Sequence, residues 1–282
     1  MAHNAARYTA LLFTPGTRLD RVEKAASSGA DGVIVDLEDA VPLPDKDRAR
    51  TEVVAWFAKN QRVGVAPFVS AIRINSPRTP HGLADLDALH AAKLRPDAVV
   101  IPKVECAAEV HRVAAKLPAD TKLICLIESV LGVRYVQEIS NAAPQVVALA
   151  FGGFDLSAET GGEPSWDALL WPRTKMVHAC AAAGKLALDQ PFIDLADDKG
   201  LDAECDRVRR LGFGGKLAIH PNQCATIKRA FQPTAHQVDK ARRIVAAFES
   251  AGGHVANIDG QMIDVPMYRS AQRVLQRAGQ DN

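Results

Sequence analysis

Short apolar runs alternate with longer amphipathic stretches along most of this chain. Eight runs rich in Val, Ile, Leu and Ala predict strands: Thr9 to Phe13, Val33 to Leu37, Ala71 to Ile74, Ala98 to Ile101, Leu123 to Ile127, Val146 to Phe151, Lys185 to Leu188 and Lys216 to Ile219. They lack the polar alternation of a sheet with one wet face, as expected of parallel strands covered by helices. Helix-like segments lie between them: Arg18 to Ser28, Asp45 to Asn60, Leu83 to Lys93, Ala107 to Leu117, Val130 to Asn141, Arg173 to Ala183 and Lys199 to Leu211. Eight strand-helix units in roughly 230 residues predict a (β/α)8 TIM barrel rather than a doubly wound sheet. No GxGxxG follows the first strand, which removes the dinucleotide-binding reading. From Pro233 onward the pattern predicts a helix over Ala235 to Ser250, a Gly252-Gly253 break and a second helix over Pro266 to Ala278. The expected organisation is a catalytic barrel over 1–232 and a helical extension over 233–282 that packs against a neighbouring subunit or covers a site.

Composition narrows the class of partner. With 282 residues and 48% apolar content the chain can bury a sizeable core. Its 34 basic and 33 acidic residues nearly cancel, and no basic block stands out. Nucleic acid and anionic membrane surfaces are therefore not expected partners; small molecules and other subunits are. The five cysteines form no CxxC pair, which reads as reduced, buried thiols in a cytoplasmic protein. Met1 to Asn4 does not open a charged and then apolar leader, and no run approaches the length of a membrane span.

Candidate chemistry clusters where a barrel would place it, at the C-terminal ends of the strands. The second strand runs straight into Asp36, Glu38 and Asp39. In an extended strand Asp36 and Glu38 share a face, and like charges side by side require a cation, a shared proton or water. Other strand ends supply Phe13-Thr14-Pro15-Gly16, Arg73 and Asn75, Lys103 and Glu105, Glu128-Ser129, Phe151 to Asp155, Asp189-Gln190 and His220-Pro221. Any one of these could be an ordinary polar turn. Charges set directly against apolar runs, as at Arg73, Lys103 and Glu128, are costly unless used.

These pieces jointly resemble the citrate lyase β-subunit-like branch of the HpcH/HpaI aldolase superfamily, which includes malyl-CoA and citramalyl-CoA lyases. The matching stretches are LFTPG (Leu12 to Gly16), DLEDAV (Asp36 to Val41), RIN (Arg73 to Asn75), IPKVE (Ile101 to Glu105), LIES (Leu126 to Ser129), FGGFDL (Phe151 to Leu156), AIHPNQ (Ala218 to Gln223) and DGQMIDVP (Asp259 to Pro266). The resemblance implies a Mg2+-dependent lyase that cleaves or forms a 3-hydroxyacyl-CoA thioester, working as a trimer or dimer of trimers. It implies that Glu128 and Asp155, on adjacent strands, ligate the metal, with Asp36 and Glu38 just outside holding its waters. It also implies that Phe13, Arg18, Lys24 and His220 line the coenzyme A site. Arg73 suits the substrate carboxylate or the developing enolate, because its planar fork stays charged. Asp264 matches an aspartate that reaches a neighbouring subunit's site and handles the proton on the acetyl carbon.

Each assignment has a plainer competitor. Glu128 could be salt-bridged to Arg73 or Lys103, and Arg73 could pair structurally with Asp36. Lys103 could form an imine, although an ion pair with a strand-end carboxylate suits it better. Arg18 and Lys24 could be solvated helix charges, His220 a turn cap, and Asp264 the N-cap of the last helix. Two other activities compete with the lyase. One is a malyl-CoA-type thioesterase using a metal-activated water; the other is a citrate lyase β-subunit served by an acyl carrier protein within a complex.

Overall fold

The computed structural model describes residues 8–60 and 68–279; the leader reading at Met1 to Asn4 lies outside them. Eight parallel strands close into a barrel in chain order. They are β1 (Ala10–Pro15), β2 (Gly32–Asp36), β3 (Val69–Arg73), β4 (Ala98–Ile101), β5 (Lys122–Ile127), β6 (Val146–Phe151), β7 (Leu186–Asp189) and β8 (Gly215–Ala218). Each strand falls within about two residues of its predicted run, within the usual uncertainty of element ends.

The helices are α1 (Val22–Ser27), α2 (Lys46–Lys59), α3 (Pro80–Ala91), α4 (Ala107–Lys116), α5 (Val130–Arg134), α6 (Val136–Asn141), α7 (Gly153–Thr160), α8 (Trp166–Ala183), α9 (Asp198–Leu211), α10 (Pro221–Phe231), α11 (Ala235–Ser250) and α12 (Val265–Gly279). Three differences from the sequence reading matter. The segment predicted as one helix over Val130 to Asn141 breaks at Tyr135 into α5 and α6. Helix α8 begins at Trp166, because the Ser165 hydroxyl caps it by accepting from the Ala168 N–H, and it accommodates Pro172 inside. Helices α7 and α10 were not anticipated, and α7 carries Asp155.

Strand periodicity decides what faces the barrel axis. Alternate residues from all eight strands, among them Leu11, Ile34, Ala71, Val100, Ile124, Leu126, Ala150, Leu188 and Leu217, form one fully buried cluster. Continuing the same two-residue step along the strands brings Phe13, Asp36, Arg73 and Glu128 onto the inward face at the C-terminal end. Five cysteines are free, four of them buried and Cys106 half-buried. Among the described residues no helix is long and apolar enough to cross a membrane.

The chain divides into two compact units between Lys228 and Arg229, within α10 and a few residues before the composition break at Pro233. The second unit has its own core, in which Ala241, Ile244 and Phe248 of α11 meet Ile263 and Ala271, and Phe248 stacks on Tyr268 at 4.7 Å. It also contains an unanticipated hairpin of β9 (Ala256–Ile258) and β10 (Gln261–Ile263). Its two-residue turn is Asp259-Gly260, both with positive φ, the pairing that a twisted hairpin favours.

Candidate active site

Asp36 and Arg73 are register partners on β2 and β3, and they meet as a bidentate pair. Arg73 Nε and Nη2 donate to the two Asp36 oxygens at 2.6 Å each. The same carboxylate accepts the backbone N–H groups of Glu38 and Ala40 at 2.9 and 3.0 Å. Asp36 therefore places its oxygens on Arg73 and on the turn after β2. The Arg73 fork is likewise on Asp36, so the nitrogen left to face the centre is Nη1, 3.1 Å from Glu38 Oε2. Beneath it the Phe13 ring stacks under the guanidinium at 4.7 Å.

Lys103 joins the other carboxylates. Its ammonium donates to Glu38 Oε1 at 2.7 Å and lies 3.3 Å from Asp39 and 3.9 Å from Asp155. Its backbone N–H donates to Glu128 Oε1 at 2.7 Å. Lys103 makes both contacts from a left-handed backbone, φ 52°, a conformation that costs a non-glycine residue and persists where the surroundings impose it. Burial alone would lower the Lys103 pKa, but the Glu38 hydrogen bond and the nearby charges of Glu38 and Asp39 outweigh it and raise it. A lysine so paired is protonated, which fits the ion-pair reading and not an imine-forming amine.

Glu128 directly follows β5, and Ser129 then caps α5 by accepting from the Gly132 N–H. Only glycine fits at 152, since a Cβ there would lie 2.4 Å from the Glu128 Cβ and 2.6 Å from its Oε2. Asp155 sits in the first turn of α7 rather than at a strand end, correcting the expectation of adjacent strand ends, and remains 44% exposed. Burial, with Glu38 and Asp155 adding repulsion, pushes the Glu128 carboxyl up to about 8. Burial also raises Glu38 against the pull of Arg73, and Glu38 Oε2 accepts no hydrogen bond.

Five carboxylates, Asp36, Glu38, Asp39, Glu128 and Asp155, thus face two cations, Arg73 and Lys103. No cluster of three or more His, Cys, Asp or Glu suited to hold a metal alone occurs among the described residues. Two carboxylates in an anionic, oxygen-only setting suit a hard cation that keeps waters or substrate oxygens as its other ligands.

The remaining predicted residues have local partners or face solvent. Arg18 is exposed and paired with Asp20 by two 2.9 Å bonds, and Lys24 is exposed in α1. His220 Nδ1 takes the Asn222 N–H at 3.3 Å, capping the turn into α10. Asp264 accepts the Met267 N–H at 3.1 Å as the N-cap of α12. Asp189 leaves the site altogether: it is one step out of phase with inward Leu188 and faces the helices. There it binds Lys216 at 2.6 Å and Arg173 at 2.8 Å, and Lys216 also holds Glu204 at 2.5 Å.

The chain matches known proteins over most of its length. The model of the HpcH/HpaI aldolase/citrate lyase family matches residues 9–221. The chain belongs to that family. It is therefore a lyase-family enzyme. The citrate lyase subunit beta of Leuconostoc mesenteroides subsp. cremoris is 34% identical over 95% of this chain and 92% of its own. The L-malyl-CoA/beta-methylmalyl-CoA lyase of Cereibacter sphaeroides is 35% identical over 95% and 93%. Among solved structures, the CitE protein of Mycobacterium tuberculosis in complex with magnesium, acetoacetate and coenzyme A superposes with a TM-score of 0.83 at 32% identity, covering 98% of this chain and 99% of that one.

Proposed function

We propose that this enzyme is a Mg2+-dependent carbon-carbon lyase that cleaves, or in reverse forms, a 3-hydroxyacyl-CoA thioester of the malyl-CoA or citramalyl-CoA type. The products are acetyl-CoA and a 2-oxo acid. The observation behind this reading is the surplus of carboxylates around Glu128, which calls for a hard cation beside two fixed positive side chains. Held by Glu128 and Asp155, Mg2+ would act as a Lewis acid toward the substrate's carboxylate and hydroxyl oxygens.

The chain's own residues supply the rest. As the carbon-carbon bond breaks, its electron pair passes to the acetyl fragment, and the hydroxyl gives its proton to solvent water to leave a carbonyl. Arg73 Nη1, held by the Asp36 clamp, and the Lys103 ammonium stabilise negative charge that grows there, already oriented before the reaction. Asp264, contributed by a neighbouring subunit of a trimer or dimer of trimers, returns a proton to the acetyl carbon. Its capping of α12 is compatible with that role, because one carboxylate oxygen suffices for the cap. Arg18 and Lys24 bind coenzyme A phosphates once the weak, exposed Arg18–Asp20 pair is exchanged for them, while Phe13 and His220 line the thioester's path.

The test is incubation of the purified chain with Mg2+ and a panel of hydroxyacyl-CoA thioesters, with products identified by mass. Acetyl-CoA together with a 2-oxo acid is expected. Free coenzyme A with the intact hydroxy acid would make the enzyme a hydrolase. Turnover only when an acyl carrier protein presents the acyl group would make it a citrate lyase β-subunit.

A further inference from the structure

The acidic turn after β2 is gripped from behind by a residue that the reaction does not touch. Lys46 is the first residue of α2, where the positive end of the helix dipole disfavours a cation. Its ammonium turns away from the helix and spends its three protons on Leu37 O and Glu38 O, both at 3.0 Å, and on Asn75 Oδ1 at 2.6 Å. None of these acceptors is charged, so this is not an ordinary salt bridge.

Asn75 in turn is locked. Its side-chain amide donates to Leu37 O at 2.9 Å and to Asp85 Oδ2 at 2.7 Å, and its backbone N–H donates to the same oxygen at 2.7 Å. Asp85 is fully buried, and Arg50 Nε holds its other oxygen at 2.6 Å. A chain of Arg50, Asp85, Asn75 and Lys46 therefore ends on two consecutive backbone carbonyls of the turn. The opposite side is fixed by Asp36, which accepts the Glu38 N–H. Glu38 is thus held by its N–H from the site and by its carbonyl from the helix layer, and only its side chain is left to meet Lys103 and Arg73.

We infer that Lys46 is a positioning residue of the lyase site, setting the Leu37-Glu38 turn and through it the place of Glu38 and its partner Lys103. This rests on the function proposed above. The test is a double-mutant cycle of Lys46→Met, which keeps the apolar stem and removes the donors, with Glu38→Gln. Lys46→Met should fold with a near-native melting temperature and lose about 10- to 100-fold in kcat, the usual cost of removing a support behind a metal site. KM for the thioester should stay unchanged, since the Lys46 ammonium is committed to Leu37 O, Glu38 O and Asn75 Oδ1. In the Glu38→Gln background most of that kcat loss should disappear, because the residue it acts through is already gone.

Equal losses in both backgrounds, or a wild-type kcat in Lys46→Met, would overturn the inference. If Lys46→Met fails to fold, Lys46→Gln, which retains a donor, is carried through the same cycle. A wild-type chain that cleaves none of the thioesters would defeat the proposed function alone. The cycle is then read as Mn2+ affinity by electron paramagnetic resonance, where non-additivity is again expected and additivity overturns the role of Lys46.

Discussion

Two clusters of charge sit on this barrel, and they differ by one step of strand periodicity. At the mouth, Asp36, Arg73 and Glu128 continue the inward face. Behind β7 and β8, Asp189 and Lys216 lie on the outward face, sealed under α8 and α9 with Arg173 and Glu204. The outer cluster is balanced, two cations against two carboxylates. Burial would raise Asp189, but Lys216 and Arg173 outweigh it and hold the carboxyl below its usual range. The mouth is unbalanced, and Glu128 is pushed the other way, up to about 8. Equal burial thus gives opposite electrostatics. Each cluster keeps one buried polar atom without a hydrogen bond, Glu38 Oε2 at the mouth and Arg173 Nη2 behind β7, so the charge balance is what separates them: a neutralised cluster serves the fold, whereas one left anionic is arranged for a ligand.

Single substitutions should break this contrast in opposite ways. The largest effect is expected for Glu128→Gln: turnover and Mg2+ binding are lost, while urea denaturation shows a fold at least as stable, because a repelled carboxyl is gone. Substantial activity with Mg2+ still bound would remove Glu128 from the metal site. Next, Asp264→Asn should lower kcat by about 10² to 10⁴, the usual worth of general acid/base catalysis, with stability and metal binding kept because Asn can cap α12. Mixing it with Glu128→Gln chains should restore some activity if the site is composite. No recovery despite verified subunit exchange would place both residues in one chain's site. Arg73→Lys should reduce kcat less, keeping charge but losing the two-pronged grip on Asp36; unchanged kinetics would leave Arg73 a structural partner of Asp36. At the outer cluster, Asp189→Asn should leave kcat of the folded enzyme intact but cost about 3 to 5 kcal/mol of stability, since two buried cations lose their counter-charge. A stability loss below about 1 kcal/mol, the range of an exposed pair, would deny the cluster that role.

Much of this was legible in the sequence, for identifiable reasons. Continuous apolar runs located all eight strands, since parallel strands are buried on both faces. The inward residues at their ends could then be named. What failed was phase and capping. Asp189 follows inward Leu188, so the same two-residue step that admits Glu128 after Leu126 excludes Asp189. Helix α7 was hidden because Gly152-Gly153 reads as a loop, yet those glycines make room for Glu128 and for Gln190, whose Oε1 accepts the Gly153 N–H at 2.6 Å. The Asp259-Gly260 hairpin interrupts a stretch with too few apolar residues to read as strands, although Asp-Gly is itself a turn signal. The left-handed Lys103 and the uncharged acceptors of Lys46 carry no local sequence signature, because both arise from tertiary contacts.

The two clusters can also be set directly against each other through pH. In the metal-free protein Glu128 titrates near 8 instead of its ordinary value of about 4.5. A folded-state pKa raised in this way means that the native state holds a proton which the unfolded chain releases between those values. Its stabilisation is complete below about 4.5 and is lost as pH rises through about 8, with a slope of at most about 1.4 kcal/mol per pH unit. Glu38, also raised, tilts the same way. Asp189 behaves oppositely: its carboxyl is depressed, so its contribution is present above the ordinary value of 3.8 and disappears as pH falls through the folded-state value below that. Urea midpoints of the metal-free enzyme should therefore decline from pH 5 to 8 and also fall steeply in acid. Saturating Mg2+ should flatten the alkaline decline, because a bound cation keeps Glu128 ionised, and Glu128→Gln should shrink it without metal. Neither should alter the acid limb. An alkaline decline of the same size in Glu128→Gln would show that Glu128 is not the group responsible.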